Sequence, residues 1–181
     1  MPNSRFWRYS VRLYAQRGVA NACLRLQDQC AVDVNVLLFM LFVAQHGRRL
    51  SRAEARAVET FARHWRINVV EPLRTLRRKL KTGIAPVKRP ASNPLRAAVK
   101  DCELLAEELQ QRVIERRFPL QSIGKPAPVK CATAANLAAF FPTLRVSRHA
   151  QLRRLQTAAE DRKSTRLNSS HVALSRMPSS A

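Results

Sequence analysis

The residues able to do chemistry are few and scattered. His46, His64 and His149 stand on separate stretches of chain, and none has a cysteine or carboxylate at the spacing zinc ligands show, such as two histidines four apart on one helix. No metal site is indicated. Cys23 and Cys30 could approach a histidine in space as a thiol nucleophile, but thiols on an apolar helix stripe are ordinary packing residues. The chain has 4 glycines, none in a Walker or dinucleotide pattern, so a phosphate-cradling loop lacks its raw material. Without a paired acid and base the inventory points away from an enzyme, and it implies no cofactor.

Two polar groups remain as candidates. Asp28, Asp33 and Asn35 flank the entry to a strongly apolar segment, where Asp33 and Asn35 either satisfy backbone amides, as an aspartate cap at a helix start commonly does, or line a small pocket. The second group is basic. Between Arg63 and Arg89 nine Lys and Arg residues face one acid, Glu71. Arg74, Arg77, Arg78 and Lys81 recur at steps of three and four, which predicts one cationic helix face, and Lys88 and Arg89 extend it. Such a ridge would dock on nucleic acid phosphates or on an acidic protein. The alternative is a metabolite-binding protein or small enzyme with its pocket against the apolar helix.

These residues need elements to hold them. The periodicity predicts a first helix from about Arg5 to Gln16 with Phe6, Tyr9 and Leu13 inward, and a second from Val19 to Cys30 with a Val19, Cys23, Leu26, Cys30 stripe. Asp33 then opens a central helix that Gly47 ends. Ser51 and Glu54 have the spacing of a capping box, which starts a fourth helix. Its stripe of Val58, Phe61, Ala62, Trp65, Val69, Leu73, Leu76 and Leu80 keeps phase across Pro72, where a kink is expected. After a connector with prolines at 86 and 90, Asn93 and Pro94 open a fifth helix. Its seam of Leu95, Val99, Cys102, Ala106, Leu109 and Val113 predicts a hairpin with the fourth. A last helical region begins near Thr133, breaks at Pro142 and resumes from Arg148 to Ala158.

The elements define an all-α fold, a compact bundle of about five or six helices around a central apolar helix. Residues 1–160 read as one domain with its core at about 5–141. From Asp161 to His171 the chain resembles the translation of a sequencing adapter, and residues 175–181 resemble the far end of the same adapter, so 161–181 is expected to be an artefactual, disordered tail. The whole chain carries 33 basic and 12 acidic residues, a formal charge of +21, which favours encounter with polyanions. The abundance of Arg and Ala also fits a GC-rich genome. No secretion signal opens the chain, and Val34 to Ala44 is shorter than the roughly 20 apolar residues a membrane span needs. Four cysteines without paired spacing fit reduced thiols, so a cytoplasmic protein without integral membrane association is expected, and no oligomeric state is implied.

One block is specific enough to suggest kinship. Leu13-Tyr14-Ala15, Gly18-Val19-Ala20, Cys23 to Asp28 and Val32-Asp33-Val34-Asn35-Val36-Leu37-Leu38-Phe39 together resemble a family of short, uncharacterised proteobacterial proteins, a domain of unknown function with a VNxLLF-type motif. The resemblance continues more weakly through Trp65, Val70 to Arg74 and Arg77-Arg78 to Asn136-Leu137. This chain departs from the family at Ala31, where a glycine-containing turn is expected, and at Phe42, where tryptophan is expected. The resemblance implies a compact helical bundle and brings no activity, substrate or cofactor with it.

Overall fold

Ten consecutive residues, Asn35 to Ala44, are buried in helix α3 (Val34–Gln45), and nine of them are apolar. A helix that is apolar all round must be covered on every side. In this computed structural model, which describes residues 4–141 and 150–161, the cover comes from α1 (Arg5–Tyr14), α4 (Arg52–Trp65), α6 (Asn93–Arg117), α7 (Val129–Phe140) and α8 (Ala150–Glu160). The described residues form an all-α bundle around that central helix, with two short antiparallel ribbons, β1 (Arg48–Arg49) with β4 (Lys125–Pro126) and β2 (Gly83–Ile84) with β3 (Val87–Lys88). Residues 162–181, most of the expected tail, and His149 lie outside the described residues.

Local codes set the helix starts. Asp33 accepts from the amides of Asn35 and Val36 at the head of α3, and Gly47, at φ 68°, carries the chain out of it. Ser51 and Glu54 form the capping box of α4. Helix α2 (Val19–Cys30) buries Val19, Cys23 and Leu26 and packs against α8, whose Leu152 and Leu155 are wholly buried. It ends on Ala31 in the left-handed region, φ 51° and ψ 33°, the conformation for which glycine is favoured. Asn136 of α7 ties the ribbon to the core: its Oδ1 accepts from the Leu50 amide at 2.7 Å, and its Nδ2 donates to the carbonyls of Met40 and Arg48.

The fourth helix differs from expectation in a way that matters for the site. Arg66–Val70 forms a π-helical turn, closed by the Glu71 amide donating to the Arg66 carbonyl, and α5 (Glu71–Lys79) continues from it. The break expected at Pro72 therefore lies one turn earlier. Proline has no amide to give the turn before it, and in the first turn of α5 that loss is harmless. One extra residue in a turn rotates everything downstream by about 100°. The predicted stripe holds only in part: Val58, Ala62 and Leu80 are buried, Phe61 and Trp65 are exposed ahead of the turn, and beyond it Leu76 is turned out, 39% exposed, while Arg77 takes its inward place at 1%.

Helix α6 departs as well. Ser92, not Asn93, holds the N-cap position, and its hydroxyl donates to the Leu80 carbonyl. Of the predicted seam only Val99 and Ala106 are buried; Leu95, Cys102, Leu109 and Val113 are exposed. The buried face is instead Val99, Glu103, Ala106, Gln110, Gln111 and Ile114. That face is polar because the surfaces opposite it, the rotated α5 and the head of α3, present arginines, Asp33 and Asn35 as partners.

Candidate functional site

Rotation of α5 dismantles the expected ridge. Arg77 Nε bonds Glu103 Oε2 at 2.5 Å with both side chains sealed from water, and Arg74 reaches Glu103 Oε1 at 2.9 Å and Glu107 Oε1 at 2.6 Å. Neither residue lies on an open cationic face. Arg78 is half-exposed and pairs with Asp28 at 3.2 Å. Lys81, Lys88 and Arg89 remain on the surface, the last two on or beside the β2–β3 ribbon.

The same rotation brings the two groups of candidate residues together. Asp28, Asp33 and Asn35 line one wall of a cleft of about 340 Å³, and Arg66, Arg74 and Arg78 line the facing wall. Glu107 and Gln110 of α6 form its inner end. Residues predicted separately as a pocket and as a ridge thus share one cavity, from which Arg77 is excluded by its depth and Lys81, Lys88 and Arg89 by their position.

The floor of the cleft is a chain of amides. Gln111 Nε2 donates to Asn35 Oδ1 at 2.8 Å, Asn35 Nδ2 donates to Gln110 Oε1 at 2.5 Å, and Gln110 Nε2 donates to Asp33 Oδ2 at 3.1 Å. Each link fixes the orientation of the next, so Asp33 is held by its own helix, by Gln110 and by Arg66 Nε at 3.7 Å. Arg66 also donates to the Ala31 carbonyl at 3.2 Å and pairs with Glu71 at 3.5 Å.

Burial governs the protonation of the two inner carboxyls. Asp33 is pushed above its ordinary value by loss of solvent, although the Val36 and Asn35 amides, Arg66 and Gln110 all oppose the rise. Glu107 is raised too, to about 7, because burial and the neighbouring Glu103 and Asp33 outweigh the stabilising contact with Arg74. A carboxyl poised near neutrality beside an arginine can hold or release a proton, or switch between donating and accepting a hydrogen bond. Tyr14 is close enough to sense both Glu107 and Arg74, and burial keeps its phenol protonated. Among the described residues no three His, Cys, Asp or Glu side chains converge to hold a metal ion.

Sequence reasoning missed Glu103, Glu107, Gln110 and Arg66. A signal was present: 103, 107, 110, 111 and 114 recur at helical spacing, and all but Ile114 are polar. The five acids and five bases between Pro94 and Arg117 balance in number, which concealed that two of those acids serve arginines of α5.

The family described as "Protein of unknown function (DUF2390)" matches residues 5–114, a span that runs from α1 nearly to the end of α6 and contains every residue lining the cleft. No curated protein and no solved structure matches the chain. Among the described residues no helix is long and apolar enough to cross a membrane. With 110 of its 181 residues matched, the chain belongs to the DUF2390 family, whose function is unknown.

Proposed function

We propose that this protein binds a small dipolar metabolite in the cleft between the head of α3, the π-turn with α5, and α6. The observation that carries the reading is the convergence of Asp33, Glu107, Arg66, Arg74 and Arg78 on one polar cavity, with a carboxyl near neutral pKa at its inner end. A perturbed carboxyl in a cleft, with a specific charged partner beside it, is a candidate for a functional site. An arginine wall opposite a carboxyl wall complements a ligand with an acid group at one end and an amine or amide donor at the other. Arg66 Nε, a buried donor that makes no hydrogen bond among the described residues, supplies a reason for such a ligand to gain affinity. The sequence-based reading of a cationic ridge on nucleic acid loses Arg74 and Arg77 to internal ion pairs and is not carried forward.

A thermal-shift screen of amino acids, hydroxy acids and their amides tests the proposal, followed by calorimetry on each hit with the wild type and with Glu107→Gln. Expected is a hit whose affinity falls in the variant while the variant still unfolds in one cooperative transition. Hits that bind both proteins alike, or no stabilising compound in the whole class, would overturn it.

A further inference from the structure

A second, larger groove, about 920 Å³, runs between α4, the end of α6 and the end of α7. Its floor is apolar and shallow-sided: Ala53 and Ala57 of α4 and Ala139 of α7 leave room for close approach, and Phe61 projects into it, 41% exposed. Its rim is cationic. Arg52 and Arg56 are one helical turn apart on α4, Arg117 stands at the end of α6, and Glu59 is the single carboxylate on the lining.

The aromatic rings decide what kind of polyanion this groove suits. Phe118 is already engaged by the edge-on ring of Phe61 at 5.6 Å, by Phe39 at 6.4 Å and by the Arg117 guanidinium 5.2 Å from its centroid. Phe140 packs on Phe141 at 4.8 Å. Single-stranded nucleic acid binds through open ring faces on which bases stack, and these rings offer little open face. A trough of small residues with one projecting ring suits the knobs of a helix instead, and three arginines against one glutamate require that helix to be acidic.

We infer that this groove receives an amphipathic helix of an acidic protein partner. Its apolar residues, spaced at i, i+3, i+4 and i+7, lie along Ala53, Ala57 and Phe61. Its Asp and Glu side chains meet Arg52, Arg56 and Arg117. The surface is separate from the cleft, with which it shares no lining residue.

The test uses the full chain and a fluorescein-labelled peptide of about four helical turns, with Leu and Phe at the anchor spacing and Glu elsewhere. Two controls carry the same label: a scrambled peptide of identical composition and a thymidine oligonucleotide of equal charge. Expected is saturable anisotropy for the patterned peptide, at least roughly ten-fold tighter than for the scrambled one, with a similar loss in Arg56→Glu and in Phe61→Ala. Both substituted side chains are exposed, and unchanged melting curves verify the fold. A peptide with Lys in place of Glu should bind the Arg52→Glu, Arg56→Glu variant better than the wild type. Equal binding of patterned and scrambled peptides, displacement of the peptide by the oligonucleotide, or no saturable binding would each overturn the inference.

Discussion

Arg77 of α5 and Glu103 of α6 form an ion pair shut off from water, Nε to Oε2 at 2.5 Å, with side-chain exposures of 1% and 3%. Arg74 shares the same carboxylate from the cleft side. Two charges in such a place hold one another, and removing either takes a partner from a charge that water does not reach. Arg77→Gln or Glu103→Gln should each lower the unfolding free energy by about 3–5 kcal/mol. The joint replacement Arg77→Met with Glu103→Leu should recover most of that loss. Urea denaturation measures all three; a single variant within about 1 kcal/mol of wild type would contradict the buried pair.

Glu107 gives a pH dependence whose sign is set by burial. Its carboxyl rises from an ordinary 4.5 to about 7, so across that window the folded protein holds a proton that the unfolded chain has released. Stability from this group is therefore unaffected below pH 4.5, falls as pH rises toward 7, and stays lowered above it. The loss is on the order of 2 kcal/mol, reduced from the full shift because the side chain is about 20% exposed. Glu107→Gln should flatten the stability profile between pH 4.5 and 7. An unchanged slope in the variant would assign the titration elsewhere.

Asp33 has two separable duties. As the N-cap of α3 it accepts from two amides, and as a cleft residue it presents a carboxylate to Gln110 and Arg66. Asp33→Asn keeps the cap, since asparagine ranks with aspartate there, and should change stability by less than about 1 kcal/mol. Asp33→Ala should cost at least about 1 kcal/mol. Both should weaken binding of any cleft ligand, measured by calorimetry. Full affinity in Asp33→Asn would remove the carboxylate from the recognition of that ligand.

Ala31 sits at φ 51°, a backbone region in which a Cβ is strained. Ala31→Gly should therefore raise stability by about 0.5–1 kcal/mol, the relief of strain exceeding the entropy that glycine adds to the unfolded chain. Denaturant midpoints at equal slope would show it. A lower midpoint would mean that the turn is held by something other than backbone preference.

Much of the bundle was legible because local codes agreed with packing. Asp33 and Ser51 begin helices where their side chains can reach free amides, and the apolar run after Asp33, broken only by Asn35, marks a central helix. Asp28, Asp33 and Asn35 cluster at the entry to that helix, where they line a cavity. What could not be read was phase. The stripe from Val58 to Leu80 satisfies a continuous α-helix, and nothing in its composition marks Arg66 to Val70 as a wider turn, because that turn depends on what α6 offers to the far side. Once Glu103 and Glu107 are known to face α5, Arg74 and Arg77 must turn inward. Spacing alone placed them together on one face and left open which way that face looked.

The π-turn makes the identity of the α5 surface depend on a single residue of chain length. Deleting one residue between Arg66 and Val70 would restore an ordinary turn, roll α5 back by about 100°, and turn Leu73 and Leu76 toward the interior. Arg74 and Arg77 would then leave Glu103 and Glu107 behind and face solvent beside Arg78 and Lys81. A relative one residue shorter at this point would trade a polar cavity for an apolar helical hairpin with a cationic back. Insertion length at that turn, rather than any one side chain, is the character by which chains of this fold would divide into those that keep the cleft and those that lack it.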